Sequence, residues 1–76
     1  MPLVPTIAQA ESNLRLWKSI LHCYQVERHE VEMRHQLGEV TAQELEEIQT
    51  NLDFDIRWIN HEIESNQIIK RTVSAA

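Results

Sequence analysis

Gln36-Leu37-Gly38-Glu39-Val40-Thr41-Ala42-Gln43-Glu44 (residues 36–44) is the stretch that decides the fold of this 76-residue chain. Gly38 is the only glycine, and it stands just past the last apolar residue of a long periodic segment, where helices often end on a left-handed residue. Three residues further on, Thr41 and Glu44 form the T-x-x-E capping box that begins a helix. The stretch therefore predicts two helices joined by a short turn at residues 38–41.

Before the turn, apolar residues recur at alternating steps of three and four, which is helical periodicity. Thr6 is a suitable N-cap, with Gln9 at the capping-box position three residues later. Pro2 and Pro5 favour an extended lead at residues 1–5, so we predict helix 1 at about residues 7–37. Its row comprises Ile7, Ala10, Leu14, Trp17, Leu21 and Tyr24, and the same phase continues through Arg28, Val31 and His35.

After the turn, a second helical row predicts helix 2 at about residues 42–70. Lys70 and Arg71 place positive charge at its expected end, and residues 71–76 are expected to fray. Two long helices and a short connection indicate an all-α, antiparallel two-helix hairpin that forms a single domain, residues 1–76. The helix 2 row consists of Leu45, Ile48, Leu52, Ile56, Ile59 and Ile63.

Composition excludes several classes of protein. One glycine and two prolines are too few for the corners of a β-barrel, and a net charge of −5 argues against nucleic-acid binding. No apolar segment is long enough to insert into a membrane, and the N-terminus does not resemble a signal peptide. The single cysteine, Cys23, fits a reducing compartment and a cytoplasmic location. The acidic residues between Glu39 and Asp55 face either solvent and a helix N-terminus or a basic partner.

The hairpin has more apolar side chains than one seam between two helices can bury, so we expect a partner or a dimeric bundle to complete it. Phe54 and Trp58, one turn apart, either cover the edge of the hairpin or anchor an interface. We predict association through part of the helix 1 row. The alternative makes that row the intramolecular seam and moves association to Leu16, Ile20 and the Phe54–Trp58 flank. The predicted partner-binding residues are Leu14, Trp17, Leu21, Tyr24, Phe54 and Trp58.

Candidate chemistry is sparse. Glu32 and His35 form one Glu-x-x-His pattern, but a di-iron bundle needs that motif from two helices, so only a homodimer would supply the second. We therefore expect no metal and no cofactor, and surface positions for most of the histidines. Cys23 is expected to be a small buried apolar residue, because nothing nearby would activate its thiol. Without a phosphate loop or a nucleophile motif, an enzyme is not expected.

The sequences Tyr24-Gln25-Val26-Glu27-Arg28 and Gln36-Leu37-Gly38-Glu39 lie in a segment, from about Leu14 to Ile63, that also contains the row Leu45, Ile48, Leu52, Ile56 and Ile59. This segment resembles the small co-chaperones of type III secretion needle proteins. Their hairpins pair with a tetratricopeptide-like chaperone and together hold the needle subunit in the bacterial cytoplasm. The Pro-containing lead and the two tryptophans depart from that pattern. The resemblance implies a non-enzymatic co-chaperone that binds a helical-repeat chaperone, and the alternative is a self-associating, dimeric four-helix bundle.

Overall fold

The structure, a computed structural model, describes the backbone of residues 6–75 and the side chains of residues 6–73. It consists of two helices, α1 (Ile7–Gln36) and α2 (Ala42–Ala75), which pack against each other, and residues 6–75 contain no strand. The predicted all-α hairpin is confirmed. The lead expected at residues 1–5 lies outside the described residues.

A reciprocal capping box begins α1, as the sequence predicts. The backbone N–H of Gln9 donates to the Thr6 hydroxyl over 3.1 Å, and the Thr6 N–H donates to Gln9 Oε1 over 2.9 Å. Both bonds satisfy donors that the first helical turn leaves without an intrahelical partner. Local side-chain chemistry therefore sets the first residue of the hairpin.

Gly38 ends α1 in the left-handed conformation expected of it, with φ at 79°. The Gly38 N–H donates to the carbonyl of His35, and the Glu39 N–H donates to the carbonyl of Arg34, each over 3.0 Å. This pair of bonds is the Schellman motif, which satisfies the last carbonyls of a helix. The motif ends α1 at Gln36, one residue before the predicted end.

Thr41 and Glu44 begin α2 with the predicted capping box. The Glu44 N–H donates to the Thr41 hydroxyl over 3.1 Å, and the Thr41 N–H donates to Glu44 Oε1 over 3.4 Å. The other end of α2 was predicted wrongly, because the helix continues past Lys70 to Ala75. No glycine or proline follows Lys70 to stop the helix, and the positive charge of Lys70 and Arg71 therefore precedes the last turn.

The seam between the two helices is the only place where the described residues are packed away from solvent. Asn13 bonds Asn66 near the open end and Arg28 bonds Asp53 nearer the turn, which fixes an antiparallel register. The molecule is a slender rod of 54 × 20 × 16 Å. The buried apolar side chains are Ala10, Leu14 and Val31 of α1 and Leu52 and Ile59 of α2.

Candidate protein-interaction surface

The structure places the predicted helix 1 row in the intramolecular seam. Leu14 is buried, with 8 % of its surface exposed, and Trp17, Leu21 and Tyr24 are half-buried. In this conformation α2 covers much of their surface. Partner binding through them stays a prediction.

Two asparagines form a polar contact within this seam, which the apolar periodicity of the sequence does not predict. Asn66 is only 6 % exposed; its Oδ1 accepts from Asn13 Nδ2 over 3.2 Å, and its Nδ2 donates to the carbonyl of Glu62 over 2.8 Å. Only the position of Asn66 in the sequence indicates that it is buried, because it continues the 3–4 spacing of the α2 row beyond Ile63. A buried amide with satisfied hydrogen bonds favours one register of the helices over others.

One edge of the hairpin is polar along its whole length. It is formed by the residues that directly follow seam residues, about 100° further round each helix. Lys70 Nζ forms an ion pair with Glu11 Oε1 at 3.5 Å, and Glu32 accepts from Gln49 Nε2 over 3.1 Å. Asp53 forms a third bridge across this edge by accepting from Arg28. We call this surface the polar edge.

The opposite edge carries exposed apolar residues. Leu16 directly precedes Trp17, and Trp58 directly precedes Ile59, so each is turned about 100° from the seam in the same sense. Because the helices run in opposite directions, equal rotation about each axis leads to the same side of the hairpin. We call this surface the apolar flank. It comprises Leu16, Ile20 and Cys23 of α1 and Trp58 of α2, and it extends onto the outer face of α2, where Phe54 and Ile68 lie two positions after the buried Leu52 and Asn66.

The aromatic part of the apolar flank is the most accessible. Phe54 is 69 % exposed and Trp58 is 56 % exposed. Together with Arg57 and His61 they line a shallow depression on α2, in which the Trp58 and His61 rings are tilted at 39° with centroids 6.3 Å apart. Large aromatic rings that are exposed in this way bury extensive surface when another protein covers them.

The prediction that Cys23 is buried was wrong. Its thiol is free and exposed, because Cys23 precedes the seam residue Tyr24 and therefore lies on the apolar flank. The apolar neighbours in sequence that suggested burial belong to two different faces of α1. Cys23 therefore contributes to the exposed surface rather than to the core.

The Glu-x-x-His pair is engaged in structural contacts. Glu32 accepts from Gln49 and lies 3.9 Å from Arg28 Nε, while His35 donates its Nδ1–H to the Val40 carbonyl over 2.9 Å. Among the described residues, no three His, Cys, Asp or Glu side chains gather where they could hold a metal ion. The contacts of His35 instead tie the end of α1 to the segment that leads into α2.

Charge is distributed unevenly along the rod. The half near the turn, residues 22–59, carries nine acidic and three basic residues, whereas residues 6–21 and 60–75 together carry three acidic and four basic residues. We call these the turn half and the open half. Their formal charges are therefore −6 and +1, which gives the hairpin a strong electrostatic polarity.

Neither helix, over the residues described, has a stretch long and apolar enough to cross a bilayer. No family model matches the chain, and neither a curated protein nor a solved structure shows significant similarity to it.

Proposed function

We propose that this chain is a non-enzymatic protein-binding module that docks another helical protein on the apolar flank. The observation that carries the proposal is the exposure of four large apolar residues of the apolar flank: Phe54 and Trp58, which share one depression, and Leu16 and Ile68, which are 58 % and 48 % exposed. Contiguous exposed apolar surface with a polar rim is characteristic of association sites. The polar edge offers no comparable surface.

The more specific proposal is a co-chaperone role. In that role the hairpin pairs with a helical-repeat chaperone in the cytoplasm, and the two hold a type III secretion needle subunit. The support is the resemblance of the segment from Leu14 to Ile63 to that family, together with the slender hairpin and its exposed flank. A rod of 54 Å with apolar residues on one side suits the concave surface of a helical-repeat protein.

Co-expression tests this proposal directly. The tagged chain is produced together with the needle subunit and the helical-repeat chaperone of the same organism, and the captured complex is weighed by native mass spectrometry. We expect a stoichiometric complex that is lost on replacing Phe54 and Trp58 together by alanine. Replacing the exposed polar residues Thr50 and Asn60 by alanine is the matched control and should leave the complex intact.

Two results would count against the proposal. If neither protein is captured, the co-chaperone role is refuted. If a complex forms but survives the Phe54 and Trp58 double substitution, binding occurs at another surface and the assignment of the apolar flank is wrong. Circular dichroism of each variant shows whether the hairpin itself is intact.

A further inference from the structure

We infer that, in the absence of another partner, the apolar flank is covered by a second copy of this chain in an antiparallel arrangement, which completes a four-helix bundle. The inference rests on the proposed function in so far as both assign protein binding to the flank. It goes further by naming the occupant and its orientation.

The positions of the apolar residues match what a four-helix bundle requires. Each helix in a square bundle touches two neighbours, in directions about a quarter turn apart. In this hairpin the seam supplies the first direction, and Leu16 and Trp58 point about 100° away from it on the same side of both helices. A second hairpin placed on this side meets apolar residues from α1 and α2 at once.

The apolar flank is centred on the middle of the rod. Cys23 and Trp58 lie near the midpoints of α1 and α2, with Leu16 and Ile68 on the open side of that level and Phe54 on the turn side. A twofold axis through the middle would therefore superimpose the two copies of the flank. Such a contact is closed and self-complementary, so it yields a dimer and not a filament.

The charge difference between the two halves of the rod favours one relative orientation of the two copies. A parallel pair would place two turn halves, each with a formal charge of −6, beside one another. An antiparallel pair places each turn half beside an open half, which carries +1; the basic residues Arg15 and Lys18 of that half directly follow Leu14 and Trp17 and lie on the polar edge, so the gain is the removal of like-charge repulsion. Since like charges across an interface are unfavourable, the polarity of the rod favours the antiparallel pair over the parallel one.

The surface available is large enough for a stable dimer. The face that contains the flank measures 54 by 20 Å, which exceeds the about 800 Å² that each partner buries in a standard interface. The chain exposes 6001 Å², whereas a compact monomer of 9.0 kDa exposes only about 4,800 Å². The excess, roughly 1,100 Å², follows from the elongated shape of the rod, 54 × 20 × 16 Å.

Sedimentation equilibrium on the full chain tests the second copy. We expect about twice the mass of 9.0 kDa at micromolar concentration, and a dissociation constant at least about tenfold weaker for Trp58→Ala. Asn60→Ala is the matched control, because Asn60 flanks Ile59 from the other side and lies on the polar edge. Asn60→Ala should leave the dissociation constant unchanged.

Disulfide trapping tests the orientation. In a Cys23→Ala background whose dimerisation has been verified, Ser12→Cys places a thiol in the open half and Asn51→Cys places one in the turn half; both positions are exposed. On mild oxidation, an equimolar mixture of the two variants should form the mixed disulfide dimer. Each variant alone should remain largely unlinked.

The outcomes separate this inference from the proposed function. A chain that stays monomeric at millimolar concentration but captures the chaperone through Phe54 and Trp58 overturns the second copy and leaves the proposed function standing. A dimer that is insensitive to Trp58→Ala, or one in which each cysteine variant links to itself, overturns the interface or its orientation. A Trp58-dependent antiparallel dimer that captures neither protein supports the inference and refutes the co-chaperone role.

Discussion

The polar edge and the apolar flank lie at equal angles from the same seam, yet they carry opposite kinds of side chain. On the polar edge, Glu11 pairs with Lys70 and Glu32 bonds Gln49, so polar side chains of the two helices contact one another. On the apolar flank, Trp58 and its neighbours remain exposed without such contacts. The difference shows that two helices suffice to complete one side of this molecule and leave the other side open to association.

Substitutions of Ile59 and of its neighbour Trp58 should differ most in their effect on stability, because one lies in the seam and the other on the apolar flank. Ile59 is 2 % exposed in the seam, so Ile59→Ala should lower the free energy of unfolding by about 2–5 kcal/mol. Trp58→Ala should leave it nearly unchanged when both are measured by urea denaturation at concentrations where the chain is monomeric. Equal destabilisation by the two substitutions would mean that the flank is part of the monomer's own core.

Gly38→Val tests whether the turn holds the two helices in the orientation that creates both edges. A Cβ at Gly38 would meet no atom within 4 Å, so the cost is backbone strain at φ 79° alone. We expect a loss of about 1–2 kcal/mol. Gly38→Asn, which tolerates this conformation better, should lose less. Identical melting curves for the three proteins, recorded by circular dichroism, would contradict a left-handed requirement at this position.

Thr41→Ala removes the hydroxyl that caps α2 and should cost about 1 kcal/mol. Thr6→Ala removes the equivalent hydroxyl from α1 and serves as the matched comparison, because the same two bonds are present there. Both effects are read from thermal unfolding at equal protein concentration. A Thr41→Ala protein as stable as wild type would show that the box at residues 41–44 is not needed to begin α2.

The ion pair between Arg28 and Asp53 beside the polar edge should contribute the least to the free energy of unfolding. Both side chains are more than 40 % exposed, so a double-mutant cycle with Arg28→Gln and Asp53→Asn should give a coupling below about 1 kcal/mol. The coupling should decrease further in high salt, because exposed charges are screened. A coupling that is large and insensitive to salt would contradict this expectation, because it would identify the polar edge as a second core.

The turn and the caps could be read from the sequence because they depend on neighbours a few residues away. Gly38, Thr41 and Thr6 act through backbone groups within three to five positions, so their roles follow from spacing alone. The exposed Cys23 and the buried Asn66 could not be read in this way. Their surroundings depend on which face of each helix meets the other, and several apolar rows on α1 compete for that position.

The sequence by itself therefore determined that two helices form, where they meet in the turn, and that the chain has an apolar surplus. These are consequences of local hydrogen bonding and helical periodicity. Helix packing, by contrast, selects the Leu14–Tyr24 row as the seam and leaves part of the surplus, including Phe54 and Trp58, exposed on the apolar flank. Packing two antiparallel rods fixes one rotation for each helix, and that choice assigns every remaining residue to the polar edge, the apolar flank or the seam.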